Sequence, residues 1–300
     1  MSIITTAPAV PSRMFSLYAS LLGNVAGEVK DRFESWATPP SLRVRGATTG
    51  DEGEGSTALF SSTLREARNM RIFEEIDDKI RVTDEARGLD AKKDPEQRFK
   101  SHLVRTLFDP LRAEEAQQDA FVVALAWFLR RNPLQPMGFG DPPQNEVNKD
   151  LVDGAVRTEL TSLNRFQNFI YWARYLGFAT LTGARDARWV LPDPMPAIAG
   201  VLPEVFGSTS ELNVDTFFSG LANIYPVFES GAVRQQIEQF AEVPVDFARD
   251  RRVSIATSIA LQRLESNRKL EIISRADAAI AILDLGTSER RVSHFALKGA

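Results

Sequence analysis

The sequence holds no cysteine and only two histidines in 300 residues. Without cysteine there are no disulfides, no thiolate nucleophiles and no cysteine-bound zinc, as expected of a cytoplasmic chain. With His102 and His294 alone, a histidine-rich metal site is out of reach, and H-E-x-x-H does not occur. No G-x-x-x-x-G-K-[ST] loop is present to cradle a triphosphate, and no G-x-G-x-x-G follows a strand pattern. The nearest approach, "GFGDP" at 138–142, runs into prolines instead of a helix. The acidic stretch "DEGE" at 51–54 lacks the alternating oxygen ligands of a calcium loop. No paired general acid and base stands out, so the expectation is a non-enzymatic chain without cofactor or metal. The longest apolar run, "FVVALAWFL" at 121–129, is far too short to span a bilayer and reads as a buried helix. The opening "MSIITTAPAVPSRMF" has neither a basic n-region nor a long apolar core, so a signal peptide is not expected, and no membrane partner is expected either.

What remains is an ordinary globular composition, 43% hydrophobic and 25% charged, long enough for more than one core. Helical periodicity dominates. Met14, Leu17, Tyr18, Leu21 and Leu22 share one face after Pro11, and Val29, Phe33 and Trp36 align on a second helix that stops at Pro39 and Pro40. After the loop "GATTGDEGEG", with N-cap candidates Ser56 and Thr57, a third helix turns Leu59, Phe60, Thr63, Leu64, Ala67 and Met70 inward. Beyond Met70 the period changes from helical to two. Ile72 opens one strand, Ile80 and Val82 alternate on the return, and Asp77-Asp78 forms the turn. Three helices followed by a hairpin is the order of a winged helix.

The same seam recurs twice. In "LNRFQNFIYWARYLGFATLTGARDARWVLPDP", Phe166, Phe169, Ile170, Ala173 and Leu176 face inward ahead of strands at 178–181 and 189–191. In "SIALQRLESNRKLEIISRADAAIAILDL", Ile259, Leu261 and Leu264 precede strands expected at 270–274 and 280–285. The spacing between copies is not fixed, so a solenoid is not expected. Two helices, near 95–107 and 113–131, separate the first copy from the second, followed by "NPLQPMGFGDPPQN", a linker or ordered loop. The predicted fold is mainly α with small β-hairpins, in which winged-helix units are joined by helical connectors. The divisions are 1–90 (N-terminal winged helix), 91–145 (connector and linker), 146–195 (second unit), 196–248 (helical connector) and 249–300 (basic C-terminal unit).

A net charge of −4 argues against indiscriminate coating of nucleic acid but allows a local basic face. In the first unit Arg65, Arg68 and Arg71 recur every three residues, and Lys79 and Arg81 sit on the hairpin, with Arg43 and Arg45 upstream. Arginines so spaced can contact phosphate and read guanine edges. The competing reading is a solvated face, because Glu66, Glu74, Glu75, Asp77 and Asp78 surround them. Residues 249–300 carry ten Lys or Arg against six Asp or Glu, a balance of +4, whereas 201–248 balance at −6. Arg249, Arg251 and Arg252 precede the helix, Arg263, Arg268 and Lys269 lie along it or at its end, Arg275 takes the wing position, and Arg290-Arg291 extend the patch. Partner docking is the competing role for these residues. His102 reads as a surface or half-buried side chain. His294 is within reach of a phosphate, with a purely structural role as the competing reading.

The phrases "APAVPSRMFSLYASLLG", "NFIYWARYLGFATL…WVLPDP" and "SIALQRLES…ERRVSHFAL" resemble the DpdG family, a component of bacterial gene clusters that insert 7-deazaguanine derivatives into DNA and restrict unmodified DNA. The resemblance implies an antiphage-defence or restriction setting with protein partners, and assigns no catalytic residue. The expectation is therefore a DNA-binding or adaptor subunit working with nuclease, helicase or ATPase partners, with self-association as a further possibility. Two rivals are a structural winged-helix subunit like those of chromosome-organising complexes and a transcriptional regulator; an enzyme with an unrecognised site is the last.

Overall fold

A computed structural model describes residues 2–7, 9–38, 54–88, 94–184 and 187–298. They are mainly helical with small, three-stranded sheets, as the periodicity predicts. The chain divides into two compact units, Met1–Asp119 and Ala120–Ala300.

The first unit runs α1 (Pro11–Leu22), β1 (Glu28–Val29), α2 (Lys30–Ala37), α3 (Glu54–Asn69), β2 (Phe73–Ile76), β3 (Lys79–Val82), α4 (Asp84–Arg87), α5 (Pro95–Phe108) and α6 (Pro110–Glu115). Proline at the first turn of α1, α5 and α6 starts each helix without forfeiting a hydrogen bond. Pro39, Pro40, the acidic loop with Arg43 and Arg45, and the caps expected at Ser56 and Thr57 lie outside the described residues and side chains. In α3 the apolar stripe is buried as spaced, from Phe60 through Leu64 and Ala67 to Met70. Phe33 of α2 packs edge-on against Phe60 and Phe73, at 5.3 and 6.0 Å between ring centres. Val29 and Trp36, expected to align with it, are exposed. The hairpin turn is Asp77-Asp78, both left-handed with φ of 51° and 60°, which is the type I′ geometry that matches strand twist.

The second unit begins with α7 (Asp119–Arg130), β4 (Met137–Gly138), α8 (Gln144–Asp150), α9 (Gly154–Arg157), α10 (Leu163–Tyr175), β5 (Ala179–Ala184) and β6 (Ala187–Pro192). It continues with α11 (Met195–Phe206), β7 (Glu211–Asn213), α12 (Val214–Ile224), α13 (Ala232–Glu238), α14 (Phe247–Asp250), β8 (Arg252–Val253), α15 (Ile255–Ser266), β9 (Leu270–Ile273), β10 (Ala281–Asp284), β11 (Glu289–Val292) and β12 (His294–Leu297). The run at 121–129 is indeed a buried helix, α7, whose Phe121 and Phe128 stack on Phe169 of α10. The Pro/Gly-rich segment at 132–145 is ordered and carries β4.

Three stretches share one plan: a helix, a short strand, then two helices in the first copy, three in the second and four in the third, then hairpin strands. They start at α1, α7 and α11, and their sheets have the orders β1-β3-β2, β4-β6-β5 and β7-β12-β9. The registers coincide. Ile80 faces Glu28 and Glu75, Val190 faces Met137 and Leu181, and Phe295 faces Leu212 and Ile272. Ile80, Val190 and Phe295 are each fully buried. The last helices before the hairpins, α3, α10 and α15, also end identically, in a Schellman cap centred on a left-handed residue, Arg71, Gly177 or Arg268. The following residue donates its N–H back five positions, Ile72 to Ala67 (2.8 Å), Phe178 to Ala173 (2.8 Å) and Lys269 to Leu264 (3.0 Å). The cap turns the chain out of the helix and into the first hairpin strand, which is the physical content of the period change.

The third copy corrects the sequence reading. Residues 270–274 and 280–285 are not paired with each other: β9 pairs with β12, and β10 pairs with β11. The hairpin is opened by an insertion, β10–β11, which joins β8 in a separate sheet, with β8 and β10 parallel. The copy also starts at α11, well before residue 249, because its first helix and strand are α11 and β7.

Candidate nucleic-acid interface

In the first copy Arg65, Arg68, Arg71 and Lys79 are exposed and Arg81 is half-buried, and the four arginines are matched by carboxylates. Arg65 meets the buried Glu66 at 3.4 Å, Arg68 meets Glu75 at 2.7 Å, and Arg71 meets Glu115 at 2.8 Å. Arg81 faces Glu74 directly across the ladder, at 2.7 Å. Lys79 has no ion pair among the described residues. Exposed pairs of this kind are worth about 0–1 kcal/mol each, so the arginines are not immobilised. The nearby carboxylates nevertheless cancel the potential a phosphate would feel.

The third copy is similar. Arg249 pairs with Asp250, Arg251 with Asp215, and Arg263 with Asp193 at 2.6 Å. Arg252 lies between Asp284 (2.9 Å) and Glu289 (2.6 Å), and these hydrogen bonds raise its pKa. Arg275 forks onto Glu211 at 2.7 and 2.9 Å. Arg290 holds Glu265 and also reaches Gln262 (3.2 Å) and the carbonyl of Ile272 (3.1 Å), keeping the Glu265 carboxyl below its ordinary range. Only Arg268, Lys269 and Arg291 of this predicted set are exposed without an ion pair among the described residues. The +4 seen along the chain is therefore largely offset in space, in part by Asp193, Glu211 and Asp215 from outside 249–300.

The second copy, given no site residues by the sequence reading, presents the opposite picture. α10, "LNRFQNFIYWARY", contains two arginines and no carboxylate, and that signal was readable in the sequence. Arg174 is exposed and has no ion pair among the described residues. Arg165 donates to the carbonyl of Glu159 (3.3 Å), and Arg188 of β6 stacks over the Phe139 ring at 4.5 Å.

Both histidines are packed into the fold. His102 is fully buried in α5, with Nε2 2.8 Å from the Met70 carbonyl. A carbonyl only accepts, so Nε2 carries the proton, and burial holds the pKa below the ordinary value. The expectation of a surface or half-buried His102 thus fails, because the residue shares the inward face of Phe99, Leu103 and Thr106. His294 is half-buried in β12 with Nδ1 3.0 Å from the Ser293 hydroxyl.

Elsewhere in the second unit a cleft of about 460 Å³ is lined by residues including Glu229, Arg234, Glu238 and Phe247. Its floor is a charge hub. Glu238 Oε1 accepts from Arg130 (2.8 Å) and Arg234 (2.7 Å), and Oε2 accepts from the Val245 N–H (2.9 Å).

The DpdG-like family profile matches residues 1–278, most of the chain. The chain belongs to the DpdG-like family. DpdG-like membership fits the DNA-modification and defence setting that the sequence resemblance implies. The DpdG-like match contains the first two copies whole and the third as far as β9. No curated protein and no solved structure gave a significant match. No described helix is long and apolar enough to cross a membrane.

Proposed function

We propose that the three copies are winged helices, and that this DpdG-like protein is a non-enzymatic DNA-binding or adaptor subunit of a bacterial DNA-modification or antiphage-defence complex. The observation that carries the reading is the thrice-repeated plan, with the short strand, last strand and first hairpin strand in the same order and register each time. The helix that leads into such a hairpin is the one a winged helix places in a DNA groove. In this role the chain holds nuclease, helicase or ATPase partners on DNA in the cytoplasm.

A second reading has its own support. The carboxylates bound to Arg68, Arg71 and Arg81 favour the first copy as a protein-contact module, as in a structural winged-helix subunit.

Duplex binding measured across a salt series separates the two. Each phosphate contact contributes a slope of about −0.9 to log K against log salt, so a DNA-binding subunit shows affinity falling steeply with salt. Absence of binding to duplex at low salt would remove the DNA-binding reading and leave the adaptor.

A further inference from the structure

We infer that the second copy is the principal DNA contact, made by the outer face of α10 together with Arg188 of β6. This rests on the winged-helix reading above and assigns its ligand surface.

The argument starts from charge that is not already neutralised. A cation held by a carboxylate brings that carboxylate toward the DNA, and the repulsion offsets the attraction. Residues 161–192 hold four arginines and one aspartate, a balance of +3. Arg185 and Asp186 cancel and lie outside the described residues, which leaves Arg165, Arg174 and Arg188. None of these makes an ion pair among the described residues.

The second element is shape. Asn164, Gln167, Tyr171 and Arg174 recur at three- and four-residue spacing, so they form one stripe along α10. Asn164, Tyr171 and Arg174 are exposed, and the stripe is opposite the buried Phe166, Phe169, Ile170 and Ala173. Amide, phenol and guanidinium are the side chains that bond to phosphate oxygens and base edges.

The third element links wing to helix. The Tyr171 ring packs edge-on against Phe139 at 5.8 Å, and the guanidinium of Arg188 lies over the same Phe139 ring at 4.5 Å. Gln167 Nε2 donates to the Phe139 carbonyl at 3.3 Å. Phe139 is buried and acts as a fixed platform. Arg188 is thereby held on the same ring that Tyr171 packs against, which restricts its rotamers before any ligand arrives and lowers the ordering cost of binding. Trp189, next on the strand and 46% exposed, adds a planar surface on the opposite side of the wing. Asp141, two residues after Phe139, is the exposed carboxylate closest to this platform in sequence.

The test uses the full-length protein, a labelled DNA duplex and an RNA duplex of the same sequence, with affinity measured by fluorescence anisotropy over a salt series. Arg174→Gln with Arg188→Gln is expected to raise Kd on the order of tenfold and to flatten the salt slope by about 2, near 0.9 for each phosphate no longer neutralised. Arg268→Gln with Lys269→Gln and Arg291→Gln in the third copy is expected to change Kd by less than about threefold, as substitutions outside the interface do. Arg174→Gln alone, at an exposed site, keeps the test valid if the double variant fails to fold, and is expected to flatten the slope by about 1. If the wild type binds DNA and the Arg174 variants bind equally well, the assignment to the second copy is overturned while the general reading stands. Tighter binding of the RNA duplex overturns the choice of DNA. A wild type that binds neither duplex removes the winged-helix DNA reading itself.

Discussion

Replacing Glu238 by alanine is the sharpest test of how the second unit is held together. One carboxylate serves two guanidinium groups, Arg130 at 2.8 Å and Arg234 at 2.7 Å, and caps the Val245 N–H at 2.9 Å. The three side chains are only 11, 12 and 7% exposed for Glu238, Arg130 and Arg234, so water from the adjoining cleft replaces the missing carboxylate only in part. Removing one partner of a buried ion pair costs about 3–5 kcal/mol, because the other charge is left uncompensated. Arg130 retains its bond to the Val243 carbonyl at 2.9 Å, which moderates the loss. We therefore expect roughly 4 kcal/mol. Trp127, Trp172 and Trp189 all lie in this unit, two of them fully buried, so tryptophan fluorescence during urea unfolding follows it. With a slope of about 2–3 kcal/mol per molar urea, the midpoint falls by roughly 1.3–2 M. Replacing all three residues by apolar ones of similar volume should recover most of the loss, since a packed apolar cluster does as well as a buried triad. A Glu238→Ala midpoint within about 0.4 M of wild type, below 1 kcal/mol on the same slope, would refute the account of the hub.

Further outcomes follow from the caps, the turn and the buried histidine. His102 has its folded pKa below the unfolded value of about 6.5. The unfolded chain therefore takes up the proton first, and stability is full above about pH 6.5 and declines as pH falls toward the folded pKa. Hydrogen-exchange protection of α5 amides should show this decline, and His102→Gln, which keeps a donor for the Met70 carbonyl, should flatten it. An unchanged pH profile in that variant would contradict the buried neutral ring. Gly177→Ala should cost roughly 2–3 kcal/mol. Its φ is +87°, and a Cβ would lie 2.9 Å from the Ala197 nitrogen and 3.1 Å from the Pro196 Cβ. Arg268→Gly, at the equivalent left-handed position, should instead be neutral or stabilise by about 0.5–1 kcal/mol in thermal unfolding. Asp77→Asn with Asp78→Gly should raise the first unit's stability by a few tenths to about 1 kcal/mol, since Asn-Gly suits the type I′ turn; a loss would contradict the turn geometry.

The helix-to-hairpin seams were legible because each joins two long enough periodic stretches. Phe60 to Met70 reads as helix and Ile72 to Val82 as strands, with a left-handed residue between them. The strands β1, β4 and β7 were not legible, since two or three residues such as Glu28–Val29 or Met137–Gly138 cannot display an alternation. Pairing was harder still. β9, β10 and β12 all carry an alternating apolar pattern, and nothing local tells Leu270–Ile273 to choose His294–Leu297 over the nearer Ala281–Asp284. Charge suffered the same way. Counting along the chain found the arginines of the third copy, but Arg263 with Asp193 and Arg275 with Glu211 are compensated from 70 and 64 residues away. The absence of carboxylates in α10 is local and visible in the sequence, but with only two arginines the helix does not stand out by its density of positive charge.

Asp193 is one of several joints between the second and third copies. It accepts from Thr180 of β5 at 2.8 Å and from Arg263 of α15 at 2.6 Å, and it contacts the first turn of α11 through the Met195 N–H at 3.4 Å. Its own N–H closes the second hairpin onto Phe178 at 2.9 Å. With no flexible tether between them, the two copies behave as a single caliper of fixed opening. A ligand long enough to touch both meets the second jaw without a further search, so avidity is decided by whether the ligand matches that opening and not by linker length. The Arg130–Glu238 pair and the packing of Phe178 on Tyr225 and Phe228 tie the same two copies, so the opening does not depend on Asp193 alone.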